Sequence, residues 1–199
     1  MTRLTAKGAA TRGRIVEAAT DLVLARGVNG TSLDDIRAGT ATSKSQLFHY
    51  FPGGKSELVS AIAAFQMDRV LAAQRPWLDT LDTWEDWDAW RDAVVEHYAS
   101  QTHNCCAISS MVTDLLVHDP ERAAEVNGHA ERWCAYLTAG LRRMSEQGKL
   151  RADADPERLA VAVFAALQGG LLLMQARDSI APLEAALDGA LAALRSFRL

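Results

Sequence analysis

Apolar residues recur at intervals of three and four along almost the whole chain, and no stretch shows the strict alternation of a half-buried strand. Such a chain buries its apolar side chains by packing helices on helices. Near the start, Ile15, Ala18, Ala19 and Leu22 fall at i, i+3, i+4 and i+7, and the run stops at RGVNGTS, where Gly27 and Gly30 are helix-stop and turn residues. Ser32 or Thr31 then caps a short helix with Leu33 and Ile36 inward, and Asp34 and Asp35 sit in its positive first turn. Thr42 or Ser43 caps a third helix, with Leu47 and Phe51 four apart on its buried side and Pro52-Gly53 closing it.

The rest of the chain continues in the same period. Leu58, Ile62, Phe65, Arg69 and Ala72 predict a long helix from Ser56 up to Pro76. RPWLDTLDTW reads as a loop or broken helix, followed by helices over about 84–102 and 106–118. A further helix runs from Asp119-Pro120 to about Gln147, stopped by Gly148, and another from Asp155-Pro156 to Ala176. SIAPLEAALDGALAALRSF forms the last. The expected architecture is all-α: a three-helix head with a helix-turn-helix over residues 1–56 and a body of about six helices over residues 57–199.

Charge divides along the same line. The formal net charge is −4, yet residues 1–56 hold eight Lys/Arg against four acids, whereas residues 57–199 hold 13 against 21. A basic head on an acidic body points to a polyanion at one end only. No apolar run is expected to reach the roughly 20 residues of a membrane span, and MTRLTAKGAATRGR lacks the apolar stretch of a signal peptide, so a cytoplasmic protein without a membrane partner is expected. Three cysteines, two of them adjacent, suit free thiols in a reducing compartment.

Other chemistries find little footing. HYFPGGKSEL ends like a phosphate-binding loop, but His49 stands where its first glycine is required and no strand precedes it. His97, His103, Cys105 and Cys106 cluster without the paired spacing that closes a four-ligand metal shell. G-x-S-x-G, H-E-x-x-H and G-x-G-x-x-G are all absent. No metal, cofactor or catalytic residue is expected, and the chain does not read as an enzyme.

Residues 11–62 carry a specific pattern: Ile15, Ala18, Ala19, Gly27, Thr31-Ser32-Leu33, Ile36, Ser43-Lys44, Leu47, His49, Phe51-Pro52 and Lys55. In that register the stretch resembles the DNA-binding domain of TetR-family transcriptional repressors. HYFPGGK and ALQGGLLLMQARD further resemble the branch of multidrug-responsive regulators of the LmrA/YxaF type. The resemblance implies a homodimeric, ligand-responsive repressor on a pseudo-palindromic double-stranded DNA operator. It departs from the family in three places: Ala41 stands where glycine is frequent in the turn, Phe48 replaces a common tyrosine, and Asp34 puts an acid near the groove.

With Leu47 and Phe51 inward, Thr42, Lys44, Ser45, Gln46 and Phe48 are expected to point outward. Lys44 suits guanine O6/N7, Gln46 adenine N6/N7 and Phe48 a thymine methyl, so Lys44, Ser45, Gln46 and Phe48 are the candidate base readers. The resemblance places Thr31, Ser32, His49, Tyr50 and Lys55 on the DNA backbone, and Gly53-Gly54 lets the next helix turn its N-terminal amides toward a phosphate.

Five tryptophans lie in or near the body, and they read either as core or as the wall of a pocket for a flat apolar or cationic small molecule. The resemblance makes Phe65, Trp87, Tyr98, Cys106, Met111, Trp133, Phe164 and Gln168 the candidate pocket residues. The penultimate helix is apolar nearly all round, so it is covered either within its own chain or by a second copy. For the second case Gly169, Gly170, Leu183, Leu187 and Leu191 are the candidate dimer contacts. The alternative function is a small-molecule sequestering protein without specific DNA binding.

Overall fold

The computed structural model of the chain describes residues 5–100 and 119–199. Helices account for its regular structure, and among the described residues the β pairing is a single antiparallel bridge between Leu150 and Arg198. In chain order the helices are α1 (Ala6–Arg26), α2 (Leu33–Thr40), α3 (Lys44–Tyr50), α4 (Gly54–Ala73), α5 (Trp77–Thr80), α6 (Trp84–Ala99), α7 (Pro120–Glu146), α8 (Pro156–Arg177) and α9 (Ala181–Arg195). The expected helix over 106–118 lies outside the described residues. The chain forms two compact units, one holding residues 5–68 with 119–129, the other 69–100 with 130–199.

In the first unit, α1 packs on α2 through a stripe turned slightly from the one read in the sequence: Ile15, Val16, Ala19 and Val23 are buried, while Leu22 is half-covered. Gly39 of α2 makes room for Leu22, since a Cβ there would lie 2.8 Å from Leu22 Cδ1. Ser32 caps α2 in a reciprocal capping box with Asp35, and Ser43 caps α3 in another with Gln46. The turn between these helices passes through Ala41 in the left-handed region (φ 50, ψ 40), where a Cβ is sterically penalised. Leu47 and Phe51 are buried as expected, and the Arg12 guanidinium lies 4.8 Å over the Phe51 ring. Gly54, at φ 67, lets the chain turn from α3 into α4. Ser56 Oγ donates to Asp119 Oδ2 at 2.9 Å, joining the start of α4 to the residue before α7.

In the second unit, the aromatic side chains are core. Trp87, Trp90 and Trp133 are essentially fully buried, with Trp87 and Trp90 edge to face at 5.6 Å and Trp133 and Phe164 at 5.7 Å. Every indole N–H of the three has an acceptor. Gln74 Oε1 receives those of Trp90 (2.7 Å) and Trp133 (3.0 Å), and Leu81 O receives that of Trp87 at 3.2 Å. The buried Gln74 completes the node by donating from Nε2 to Val70 O. Arg91 grips Asp188 with two hydrogen bonds of 2.8 and 3.2 Å, and Arg195 pairs with Asp88, so α6 and α9 are clamped on their solvent side.

Helix α8 corrects two expectations. It is long and apolar enough, by length and composition, to cross a membrane, contrary to the expectation that no run reaches that length. Its Val163, Leu167, Leu171 and Met174 are nevertheless buried, and α8 packs closely along α9. Leu183, Leu187 and Leu191 of α9 are buried in the same way within one chain, and so cannot themselves be the face offered to a second copy. The two glycines also separate. A Cβ on Gly170 would stand 2.9 Å from Leu183 Cα and 3.0 Å from Ala186 Cβ, whereas one on Gly169 would meet nothing within 4 Å.

Two stability measurements follow. Ala41→Gly relieves the left-handed turn and raises the unfolding free energy by on the order of 1 kcal/mol, read by urea denaturation. Gly170→Ala forces α8 from α9 and costs about 1–3 kcal/mol, while Gly169→Ala leaves stability unchanged or raises it by up to about 1 kcal/mol through helix propensity.

Candidate nucleic-acid interface

Seven residues make α3 too short to persist alone, so its shape is imposed from three sides. The Ser43 hydroxyl accepts from the Gln46 amide at 3.1 Å, Leu47 and Phe51 anchor the inner side, and the Phe51 amide closes the end on Leu47 O at 2.8 Å. The opposite side is free. Lys44, Ser45, Gln46 and His49 are exposed, and Phe48 keeps 41% of its surface open with its ring edge beside Gly54. A helix with an amine, a hydroxyl, an amide and a ring open to solvent has the width and chemistry to enter a major groove. All four candidate base readers are exposed.

Thr42 does not join them. It is buried in the turn, its hydroxyl 2.8 Å from that of Thr40, which itself donates to Ile36 O at 2.7 Å. A polar residue just before a helix looks outward in sequence, but the turn uses this one to satisfy its own backbone. Thr31 is the second correction. It is fully buried, and its hydroxyl donates to Gly27 O at 2.8 Å, so its side chain ties the α1–α2 loop and cannot reach a phosphate.

The other expected backbone contacts lie at the surface: Ser32 and His49 exposed, Tyr50 and Lys55 half-buried. His49 and Tyr50 stack edge to face at 4.9 Å. Ser32 is partly spent on its own helix, donating its hydroxyl to Asp35 Oδ2 at 2.5 Å while its backbone amide donates to the same oxygen at 2.8 Å. Those bonds, side chain first and then backbone, hold the Asp35 carboxyl below the ordinary aspartate range, with a smaller pull from Arg26.

Two amides at the entry to α4 already have acceptors. The Gly53 amide donates to Glu57 Oε2 at 2.8 Å and the Gly54 amide to Phe51 O at 2.9 Å. The Lys55 ammonium stands at the same corner as a point charge.

Two residues were not singled out by sequence reasoning. Arg37 reaches back one turn and donates to Asp34 Oδ1 at 2.6 Å, neutralising an acid on the same exposed shoulder of α2. The i, i+3 spacing of opposite charges was the available signal. Gln66, on α4, is buried with its Oε1 lacking a hydrogen-bond partner among the described residues. Nothing in its sequence context distinguishes it from a surface glutamine.

Of the body candidates, Trp87, Tyr98 and Trp133 have essentially no surface open to water and belong to the core of the second unit. Phe164 and Gln168 are half-buried on α8, and Cys106 and Met111 lie outside the described residues. Phe65 lines an open groove of about 730 Å³ in the first unit, together with Arg12, Val16, Glu57 and Ala61. Cys134 is free and half-buried, and burial pushes its thiol above the ordinary range, which disfavours the thiolate. Among the described residues no cluster of His, Cys, Asp or Glu could hold a metal ion.

Residues 15–62 match the model of bacterial regulatory proteins of the tetR family, and residues 87–190 match a tetracyclin repressor-like C-terminal domain. The chain is 26% identical over 186 residues to an uncharacterized HTH-type transcriptional regulator of Mycobacterium tuberculosis, covering 87% of this chain and 88% of that one. It is 28% identical over 163 residues to the HTH-type transcriptional regulator SrpR of Pseudomonas putida, covering 81% and 73%. Among solved structures, TetR-family regulators from Agrobacterium tumefaciens (TM-score 0.79, 23% identity, 94% of this chain and 98% of that one) and Cytophaga hutchinsonii (0.83, 15%, 99% and 99%) share its fold. An exposed amine, hydroxyl, amide and ring on a capped α3, set in a chain matched at both ends by these models, makes the protein a member of the TetR family of DNA-binding transcriptional regulators.

Proposed function

We propose that the protein is a repressor acting as a homodimer, in which two copies of α3 enter successive major grooves of a pseudo-palindromic operator. The observation that carries this reading is the division of α3 into a buried side, Leu47 with the cap residue Phe51, and an open side of Lys44, Ser45, Gln46 and Phe48. Residues 1–56 would carry DNA binding and residues 57–199 the ligand and dimer functions. A small apolar or cationic molecule, of the kind answered by the multidrug-responsive branch, would bind the body and release the operator by favouring a different arrangement of the two heads. The buried Oε1 of Gln66, without a hydrogen-bond partner among the described residues, supports a ligand that donates a hydrogen bond, because such an acceptor gains most from being satisfied.

The second copy has a surface to meet. On α8, Val161, Leu172 and Leu173 are 60%, 65% and 46% exposed, and with Ala165 and Gly169 they recur at helical spacing on the side away from α9's leucines. On α9, Ala181, Ala185, Gly189 and Ala192 form a matching exposed stripe of small residues. Apolar side chains on one helix beside small ones on the next suit two-fold packing into a four-helix interface.

Binding of the protein to a promoter-derived duplex, followed by electrophoretic mobility shift at two salt concentrations, tests the reading. Lys44→Ala lowers specific affinity by about 1–3 kcal/mol and relaxes base preference, whereas Lys55→Ala weakens all sequences alike and lowers the salt slope by about one. Equal affinity for all duplexes in the wild type would refute it. The dimer is tested apart from DNA: Leu172→Glu with Leu173→Glu converts it to a monomer in analytical ultracentrifugation and weakens operator binding roughly 100-fold through lost bivalency.

A further inference from the structure

The cap of α3 reaches into its own reading face. In a capping box the side chain three residues after the cap accepts from the cap's backbone amide. In α3 that side chain is Gln46, with Oε1 3.4 Å from the Ser43 backbone nitrogen. The orientation of the amide follows from chemistry. A backbone N–H only donates, so the oxygen of Gln46 must face it and Nε2 must face away.

Glutamine reads adenine by using both ends, Oε1 accepting from N6–H and Nε2 donating to N7. With Oε1 turned to the cap, the exposed Gln46 cannot set both of its ends on one base edge, and the end it turns outward is its NH2 group. Lys44, exposed on the same turn, has three donors and no acceptor. The front of α3 is therefore rich in donors. Guanine answers it with two acceptors, O6 and N7, in the major groove, whereas adenine sets its N6 amino group against a second donor and cytosine offers only a donor.

We propose that Gln46 is a donor-only specificity residue, and that the base pair it meets carries guanine in place of the adenine its residue type would suggest. The inference rests on the DNA-binding reading above and names the base edge that reading leaves open. Thymine, with O4 as a single acceptor, is the next best fit.

Selection from a randomised duplex library with the full-length wild-type protein, repeated with Gln46→Glu and Gln46→Ala, identifies the base pair whose preference depends on this residue. At that position the wild type favours guanine over adenine by roughly tenfold. Gln46→Glu keeps an acceptor for the Ser43 amide but has no donor, so guanine preference disappears and cytosine, which donates from N4, replaces it. Gln46→Ala flattens the preference, and it decides the matter should circular dichroism show that the Glu variant has lost helix. Adenine enriched at that position by the wild type, or preferences unchanged in both variants, overturns the proposal while leaving DNA binding intact. Failure of the wild type to enrich any sequence overturns the DNA-binding reading and this proposal together.

Discussion

The burial of Leu47 and Phe51 beneath a seven-residue helix is the contact on which the molecule's chemistry depends. Isolated helices of that length are unstable in water, and burying one such side chain contributes about 1.5–3 kcal/mol. Those two anchors, with the Ser43 cap, the Gly54 turn and the Arg12 guanidinium over Phe51, hold the opposite face in a form that side chains can read from. Remove them and Lys44, Ser45, Gln46 and Phe48 no longer share a surface. The left-handed Ala41 shows how tightly that placement is specified, because the turn keeps its shape around a residue that disfavours it.

The two capping boxes in the head use different third residues, and the difference has an electrostatic sense. Helix α2 is closed by Asp35, a carboxylate that suits the positive helix start and lies near Arg26. Helix α3 is closed by neutral Gln46, which supplies the same acceptor without placing a negative charge on the face that meets a polyanion. Asp34, the more exposed acid of the pair on α2, is matched by Arg37.

In the body, three tryptophans sit in the core, a choice that residue type alone left open. A buried indole needs an acceptor for its N–H, and Gln74 supplies one oxygen to two of them while Leu81 O serves the third. An aromatic face at helical spacing can equally line a cavity, and only the presence of that buried amide, distant in sequence from Trp133, tells the two apart. Helix α8 poses the same problem. It is apolar nearly all round, yet only its Leu167 side is covered, by α9, while its Leu172 side is open within the chain.

What the sequence determined by itself was local: the helices, the cap sites at Thr31-Ser32, Thr42-Ser43 and Asp155, and the stops at Gly27 and Gly148. These follow from spacing and from hydrogen bonds made within a few residues, which any reading of neighbours can reach. Tertiary structure decided which of two similar faces was covered. It buried Thr31 and Thr42, took Trp87 and Trp133 into the core, and turned Leu183 and Leu187 toward α8, leaving Leu172 and Leu173 outside. Burial depends on partners far along the chain, and periodicity records only that a side chain must be covered, not what covers it.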